Sequence, residues 1–371
     1  MPFNRKPNKV FTPGPTPIHP AILALGATQP PYSRTQAFSK LTFEIIAGLK
    51  NVFQTSDDVV LLTASGTAAM EASVMGFLKP DDKALIVNGG TFGQRWVDLC
   101  QRHSVPFKEL KLDAGKTPSP EAIEKSLRDF SCNVLLINAH ETSTGVLYDV
   151  AKIGQVARRL GVFFVVDAIS SICADPFLMD EWSVDVAILS SQKALALPPG
   201  LSFIALNGKA KTRLLADPAK TLYFDLLDYL ENQKRGQVPY TPATGVFVML
   251  HQRLKDIASV GLEATLLQHE TLARYFRSKL TKFPFTILPE RSSSAMTALL
   301  CDEALDASRL VASLEKEHGV FVAPSGGELK TKVFRVSHMG DQTQQDIDFL
   351  IEALRTVLLK FEYINMREVA A

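Results

Sequence analysis

The run SSQKALALPPG (residues 190–200) sets Lys193 between small hydroxylated residues and a rigid Pro-Pro-Gly turn, directly after the apolar stretch VDVAIL. A cation at the exit of a buried strand needs either a partner or a chemical task. FFVVDAISS places Asp167 at the end of the most apolar run in the chain, where a carboxylate is costly unless something positive holds it. Read alone, Lys193 is equally a surface lysine at a strand end, and Asp167 equally half of a salt bridge to an arginine. Three other turns carry groups of interest. Ser65-Gly66-Thr67 opens the helical stretch AAMEASVMGFL, which suits either a phosphate at a helix N-terminus or a simple N-cap. Phe92, in NGGTFGQRW, offers a flat apolar face to a ring or to the core. His140 through Gly145, HETSTG, is dense in hydrogen-bonding groups, as a capped loop also would be.

The elements around these turns decide whether they meet. Strand-like runs fall at 59–64, 84–88, 107–112, 133–139, 163–168, 184–190 and 201–207, with amphipathic helical stretches such as SPEAIEKSLRDF and VAKIGQVARRLG between them. Continuous apolar strands alternating with helices predict an α/β fold with a seven-stranded, mainly parallel sheet covered on both faces. The pair 184–190 and 201–207 is joined too tightly for a crossover and is expected to be antiparallel. After 207 the pattern changes: one long helix is expected over 245–280. FTILPE, MTALLC, GVFVAP and VFRVSH follow, with a helix over 307–318, as a small α+β domain. The expected division is an N-terminal segment at 1–20 contributing to the active site, a large domain at 21–258 and a small C-terminal domain at 259–371.

Ligands of open α/β sheets bind outside the carboxyl ends of the strands. The phosphate cradle, the aromatic face, the acid and the lysine all map to that one rim, and together they describe a site for pyridoxal 5'-phosphate. The ε-amine of Lys193 would form a Schiff base with the aldehyde, be displaced by an incoming amino acid, and then carry the proton. Asp167 would keep the pyridine nitrogen protonated, making the ring an electron sink. No G-x-G-x-x-G follows a strand, and neither a Walker loop nor a G-x-S-x-G elbow is present.

Bulk composition narrows the classes further. The chain has 371 residues, 46% apolar and 21% charged, with a net charge of +1, which gives no electrostatic reason to expect nucleic acid or an anionic membrane. Cysteines 100, 132, 173 and 301 form no CxxC and no zinc spacing, so no metal is expected and a reducing compartment fits. MPFNRKPNKVFTPGPTP has no apolar signal core, and no run reaches the roughly 18–20 apolar residues of a membrane span. A cytoplasmic location is the expectation.

From FTPGPTP through LTASGTAAMEA, NGGTFGQRW, HETSTGVL, VVDAISS, SSQKALALPPGLSF and GQVPYTPA to VFRVSHMG, the chain resembles a class V aminotransferase of the pyridoxal-phosphate fold type I group. It is most similar to the alanine/serine–glyoxylate (serine–pyruvate) branch. The resemblance implies a ping-pong transfer of the amino group from a small amino acid to glyoxylate or pyruvate. It also implies Lys193 as the Schiff-base lysine, Asp167 as the partner of the pyridine nitrogen, Phe92 and Ile169 on the two ring faces, and Thr142 at the phenolic oxygen. Ser65, Gly66, Thr67 and Gln192 match the phosphate cradle, and Thr241 matches a residue reaching the phosphate from the neighbouring subunit of a homodimer. Arg335 matches the arginine that pairs with the substrate carboxylate, and the turn holding Gly14 resembles the segment covering it. Two positions depart from the pattern. Ser33-Arg34 stands where many relatives have His-Arg, and Arg34 receives no role. Val238 stands where some relatives have Tyr, at the loss of one phosphate contact. A 2-aminoethylphosphonate–pyruvate transaminase is the alternative donor reading. A cysteine desulfurase would need a mobile loop cysteine, and a non-enzymatic regulator would need an appended domain or a broken site; neither feature is present in the sequence.

Overall fold

The computed structural model describes residues 8–217 and 221–363. Residues 1–7, 218–220 and 364–371 lie outside the described residues, and with them the start of the expected N-terminal segment and the end of the expected small domain. The strands in chain order are β1 (Lys9–Phe11), β2 (Asp58–Leu62), β3 (Ala84–Asn88), β4 (Phe107–Lys111), β5 (Val134–Asn138), β6 (His140–Glu141) and β7 (Val146–Leu147). After them come β8 (Phe163–Asp167), β9 (Val186–Ser190), β10 (Ser202–Leu206), β11 (Phe285–Ile287), β12 (Met296–Cys301), β13 (Val320–Pro324) and β14 (Val333–Ser337).

All seven apolar runs read from the sequence form one sheet in the order β2-β10-β9-β8-β5-β3-β4. The β4–β3, β3–β5, β5–β8 and β8–β9 pairs are parallel, and β10 runs antiparallel to both β9 and β2, as the short connection required. Every residue of β3, β5, β8, β9 and β10 is buried, which is why these strands read as unbroken apolar runs rather than alternating ones. The edge strand β4, FKELK, is only partly buried, and its lysines deny the open edge to another strand. Helices start at the carboxyl rim with local caps. Ser65 accepts from the Ala68 N–H ahead of Gly66–Phe77, Ser119 from Ala122 ahead of Pro120–Asp129, and Asp149 from Lys152 ahead of Val150–Leu160.

A second sheet, β1-β13-β14-β12-β11, lies in the C-terminal part. Its core gathers Phe11, Phe276, Phe334, Leu350 and Leu354, distinct from the larger core built around the seven-stranded sheet. The closing helix Gln344–Lys360 begins with a Thr343/Asp346 capping box and buries Ile347, Leu350, Ile351, Leu354, Val357 and Leu358 along one face. Among the described residues no helix is long and apolar enough to cross a membrane.

Two elements differ from the sequence reading. The N-terminal residues Lys9–Phe11 do not only approach the site: they pair in parallel with Val320–Val322 and so belong to the C-terminal sheet. The single helix expected over 245–280 is two, Thr244–Val260 and Leu262–Ser278, broken at Gly261 with φ 89° and ψ 146°. That backbone conformation is closed to residues with a Cβ at ordinary cost. No atom lies within 4 Å of where a Cβ on Gly261 would stand, so the cost of Gly261→Ala is conformational alone. The substitution is expected to lower stability by about 1–3 kcal/mol, read as a shift in the urea midpoint. An unmoved midpoint would mean that the break is held by packing of the two helices and not by the glycine.

Candidate functional site

Three residues beyond β9, Lys193 sits in a tight turn closed by the Ala196 N–H donating to the Lys193 carbonyl (2.8 Å). Ser191 Oγ donates to Pro198 O (2.7 Å) and accepts from Leu201 N (3.3 Å), fixing the Pro-Pro-Gly connection. The side chain is largely enclosed, and its Nζ donates to Pro13 O at 2.7 Å. Burial brings the ammonium pKa down to about 8, with Arg335 and Arg95 adding to the effect and Asp167 opposing it.

Asp167 ends β8 on the same rim and is buried. Its oxygens accept from Asn138 Nδ2 (2.9 Å) and from the Ile169 N–H (2.9 Å), neither of them charged. Burial raises its carboxyl to about 6, against the pull of the Ile169 N–H, Arg95 and Lys193. The salt bridge that the sequence allowed is thus not what holds this acid.

The turn Ser65-Gly66-Thr67 forms the start of the helix after β2. The first-turn N–H groups of a helix have no partner within it, and they carry the positive end of its dipole. A Cβ on Gly66 would stand 2.4 Å from Ile169 Cδ1, so only glycine lets this helix end lie against the isoleucine. Ser65 and Thr67 are exposed, which leaves the cradle open. Thr67 Oγ1 accepts from Arg95 Nη1 (3.0 Å), and the same guanidinium lies 4.8 Å from the centre of the Phe92 ring. Arg95 therefore joins the cradle to the aromatic face, a role that its place four residues after Thr91 on a helix did not signal.

Glu141 is the second residue that sequence reasoning missed. Its carboxylate accepts from the N–H groups of Phe92 (3.3 Å), Gly93 (2.8 Å) and Ser143 (3.2 Å) and from Ser143 Oγ (2.5 Å). From β6 it caps the remote helix Thr91–Arg102 and ties the Phe92 turn to the HETSTG loop. Next to it, Thr142 Oγ1 lies 2.5 Å from Ser170 Oγ. His140 Nδ1 faces Ser170 O at 3.1 Å, so Nδ1 carries the proton and Nε2 is left as an acceptor. Burial pushes the His140 pKa down to about 4.

Arg335, from β14, reaches across from the C-terminal sheet. Its Nη1 donates to Thr142 O (2.9 Å) and its Nη2 to Pro324 O (2.6 Å). Buried polar atoms without partners gather around these groups among the described residues: Arg335 Nε, His140 Nε2, Ser190 Oγ and Asn138 Oδ1. Such atoms are costly, and several at one rim mark a place where a polar ligand can satisfy them. The donor set fits pyridoxal 5'-phosphate. Asp167 can hold a ring N–H, the amides and hydroxyls of 65–67 can hold a phosphate, Phe92 and Ile169 can flank a ring, and Thr142 can meet a phenolic oxygen.

Gln192 is partly exposed beside Lys193 in the same loop. Thr241 is exposed on a stretch whose Ala243 N–H donates to Thr63 Oγ1 (3.1 Å), two residues before Ser65. Arg34, given no role from sequence, secures that stretch: Nη1 donates to Gln237 Oε1 (3.0 Å) and Val238 O (2.9 Å), and Nη2 to Pro239 O (3.1 Å).

Comparison with known proteins places this geometry in a family. The model of the aminotransferase class-V family matches residues 28–350. A protein of Paracoccus denitrificans named L-aspartate–glyoxylate aminotransferase is 30% identical over 91% of this chain and 87% of its own. A Synechococcus protein named small subunit of soluble hydrogenase is also 30% identical, over 96% of this chain and 94% of its own. A solved alanine–glyoxylate aminotransferase from Nostoc sp. superposes with a TM-score of 0.93 at 28% identity, covering 96% of this chain and 97% of that one. The matched residues take in the whole seven-stranded sheet and every strand of the second sheet but β1, and the chain belongs to the class V aminotransferases, a family and fold that work with pyridoxal 5'-phosphate in general.

Proposed function

We propose that this transaminase takes the amino group from a small amino acid of the alanine or serine type and delivers it to glyoxylate or pyruvate, using pyridoxal 5'-phosphate held through Lys193. The observation that carries the reading is the buried pair at the sheet rim: a lysine brought down to about 8 and an acid brought up to about 6. When bound, the cofactor supplies an aldehyde for condensation with amines and a ring that draws electrons from the substrate carbon. The rest falls to the chain. Lys193 Nζ, poised near neutrality, takes and holds the proton of the substrate α-carbon. Asp167 would accept from the protonated ring nitrogen, which would supply the positive partner its burial lacks. Phe92 and Ile169 would flank the ring, Thr142 would meet its oxygen, and Ser65, Gly66, Thr67 and Gln192 would hold the phosphate. Arg335 keeps N–H groups to spare for the substrate carboxylate after its two backbone contacts, and the turn at Gly14 closes over that carboxylate. The exposure of Thr241, on a stretch clamped by Arg34, supports its reaching the phosphate of a neighbouring subunit in a homodimer. The two separate cores support a large domain over 21–258 and a small one over 259–371.

Desulfuration is disfavoured by the same physics. Burial pushes the thiols of Cys100, Cys173 and Cys301 up to about 12 and raises that of Cys132, so none is poised as a thiolate nucleophile.

The donor is tested by adding alanine, serine, aspartate or 2-aminoethylphosphonate singly to the loaded enzyme without a keto acid. The near-visible absorbance is expected to fall fastest with alanine or serine; fastest loss with 2-aminoethylphosphonate would overturn the substrate class. Borohydride followed by peptide mapping is expected to mark Lys193, and Lys193→Ala to abolish both mark and colour. A mark on another lysine would remove Lys193 from the reaction. Arg335→Ala is expected to raise KM for both carboxylate substrates by about 10- to 100-fold, the worth of a charged hydrogen-bonded pair; unchanged kinetics would place Arg335 outside the pocket.

Asp167→Asn separates stability from catalysis. Between 3.8, the unfolded value, and about 6 the folded protein holds the extra proton, so stability falls as pH rises through that window and the full penalty stands above it. Without cofactor, Asp167→Asn is expected to gain stability on the order of 3 kcal/mol at pH 8 and little at pH 4, while turnover collapses. Urea unfolding at the two pH values checks the first part, and an equal change at both would show that the buried charge is not the cause.

A further inference from the structure

The segment from β1 to the first helix is tied at both ends to the C-terminal part and in its middle to Lys193. On the C-terminal side, Val10 O accepts from Gln342 Nε2 (3.3 Å), Pro17 O from the Asp341 N–H (3.0 Å), and Lys9 pairs with Asp346. On the other side the segment wraps Lys193: Pro13 O accepts from Nζ at 2.7 Å, and Thr16 Oγ1 donates to the Lys193 carbonyl at 2.9 Å. Between them Gly14 has φ +136°, and a Cβ there would stand 2.6 Å from Lys193 Nζ, 2.7 Å from Cδ and 2.9 Å from Cε. The lysine stem therefore lies flat along the Pro13–Gly14 backbone.

We propose that the Pro13 carbonyl is the docking acceptor for the Lys193 ε-amine whenever that amine is not covalently committed, with Gly14 and Thr16 as the positioning residues that fit the segment around it. The inference rests on Lys193 being the condensing amine. In transamination the lysine is displaced by the substrate's amine and must then wait, as a free amine, inside a site that excludes most water. A buried N–H donor without an acceptor is costly, and an unanchored lysine also keeps its rotamer freedom. Docking on Pro13 removes the first cost. It also fixes the stem, so that the nitrogen lone pair is presented along one direction instead of many. Because β1 and Pro17 anchor the same segment to the C-terminal sheet and its flanking loop, the position of that sheet is transmitted to the proton-carrying nitrogen.

The charged and titratable groups facing Lys193 are Asp167, Arg335, Arg95 and neutral His140. A backbone carbonyl that accepts from the ammonium favours the charged form, so losing it lowers the amine's midpoint. The test is competitive acylation of the full-length, cofactor-free protein with acetic anhydride across pH, with the extent at Lys193 read by peptide mapping. Gly14→Ala, which wedges a methyl between carbonyl and amine, is expected to move the midpoint down by about one pH unit. Thr16→Val is expected to move it less in the same direction. In the loaded enzyme, a single half-reaction with excess donor is expected to slow severalfold in Thr16→Val, a change that touches no substrate contact, with the donor concentration giving half-maximal rate unchanged. A midpoint unmoved in both variants overturns the proposal, as does a lost donor affinity with an unchanged limiting rate. If Gly14→Ala does not fold, judged by circular dichroism, the Thr16→Val midpoint decides alone. Failure of the underlying reading shows separately, as absence of the borohydride mark at Lys193 in the unaltered protein.

Discussion

The site depends on two ionisable groups held in a place where neither charge is welcome. Asp167 ends β8 and Lys193 lies in the turn just beyond the neighbouring β9, strands whose side chains are buried on both faces of the sheet. Low polarity pushes an acid up and an amine down. The pair thus draws together, to about 6 and about 8, from values that in water would lie far apart. A one-faced antiparallel sheet could not do this, because half of its residues would face solvent. The doubly covered parallel sheet is in this sense what sets both values, and β10, antiparallel at the far side of β9, permits the short connection that carries the lysine.

A second layer keeps the first in place, and it consists mainly of side chains bonded to distant backbone. Glu141 binds the amides that start the Phe92 helix, Arg34 binds the carbonyls ahead of Thr241, and Thr16 binds the carbonyl of Lys193 itself. Backbone partners suit this task because they are fixed by secondary structure and cannot turn away. Arg95 differs: it bonds to one side chain and lies near a ring, joining two parts of the site that come from different strands.

These differences account for what could be read from the sequence. Five of the seven strands were legible because burial on both faces leaves a local signature, an unbroken apolar run, and the rim turns were legible because the site draws on types rare at strand exits. β1 was not legible: three residues pair with a partner some three hundred positions away, and no local pattern reports such pairing. The helix break at Gly261 was masked by apolar spacing that continues through it. Glu141, Arg34 and Arg95 were silent because a carboxylate or guanidinium aimed at remote backbone or a remote hydroxyl looks the same in sequence as one facing water. Thr241 and Gly14 could be placed only through resemblance to a family.

The cost of the site is concentrated at the rim and offset elsewhere. Arg335 Nε, His140 Nε2 and Ser190 Oγ are buried without partners, and Asp167 is buried without a counter-charge in contact, each against the folded state. Buried polar atoms without partners also occur elsewhere among the described residues, at Trp96, Tyr148 and Gln233 for example, so the rim is marked by their adjacency to Asp167 and Arg335 and not by their being found only there. Local inconsistency gathered beside ionisable groups is where a functional site is expected. A ligand with a cationic ring N–H, acceptor oxygens and an aldehyde would satisfy these groups together. Part of its binding energy would come from satisfying these groups, and the folded chain would be stabilised against unfolding in step with that binding.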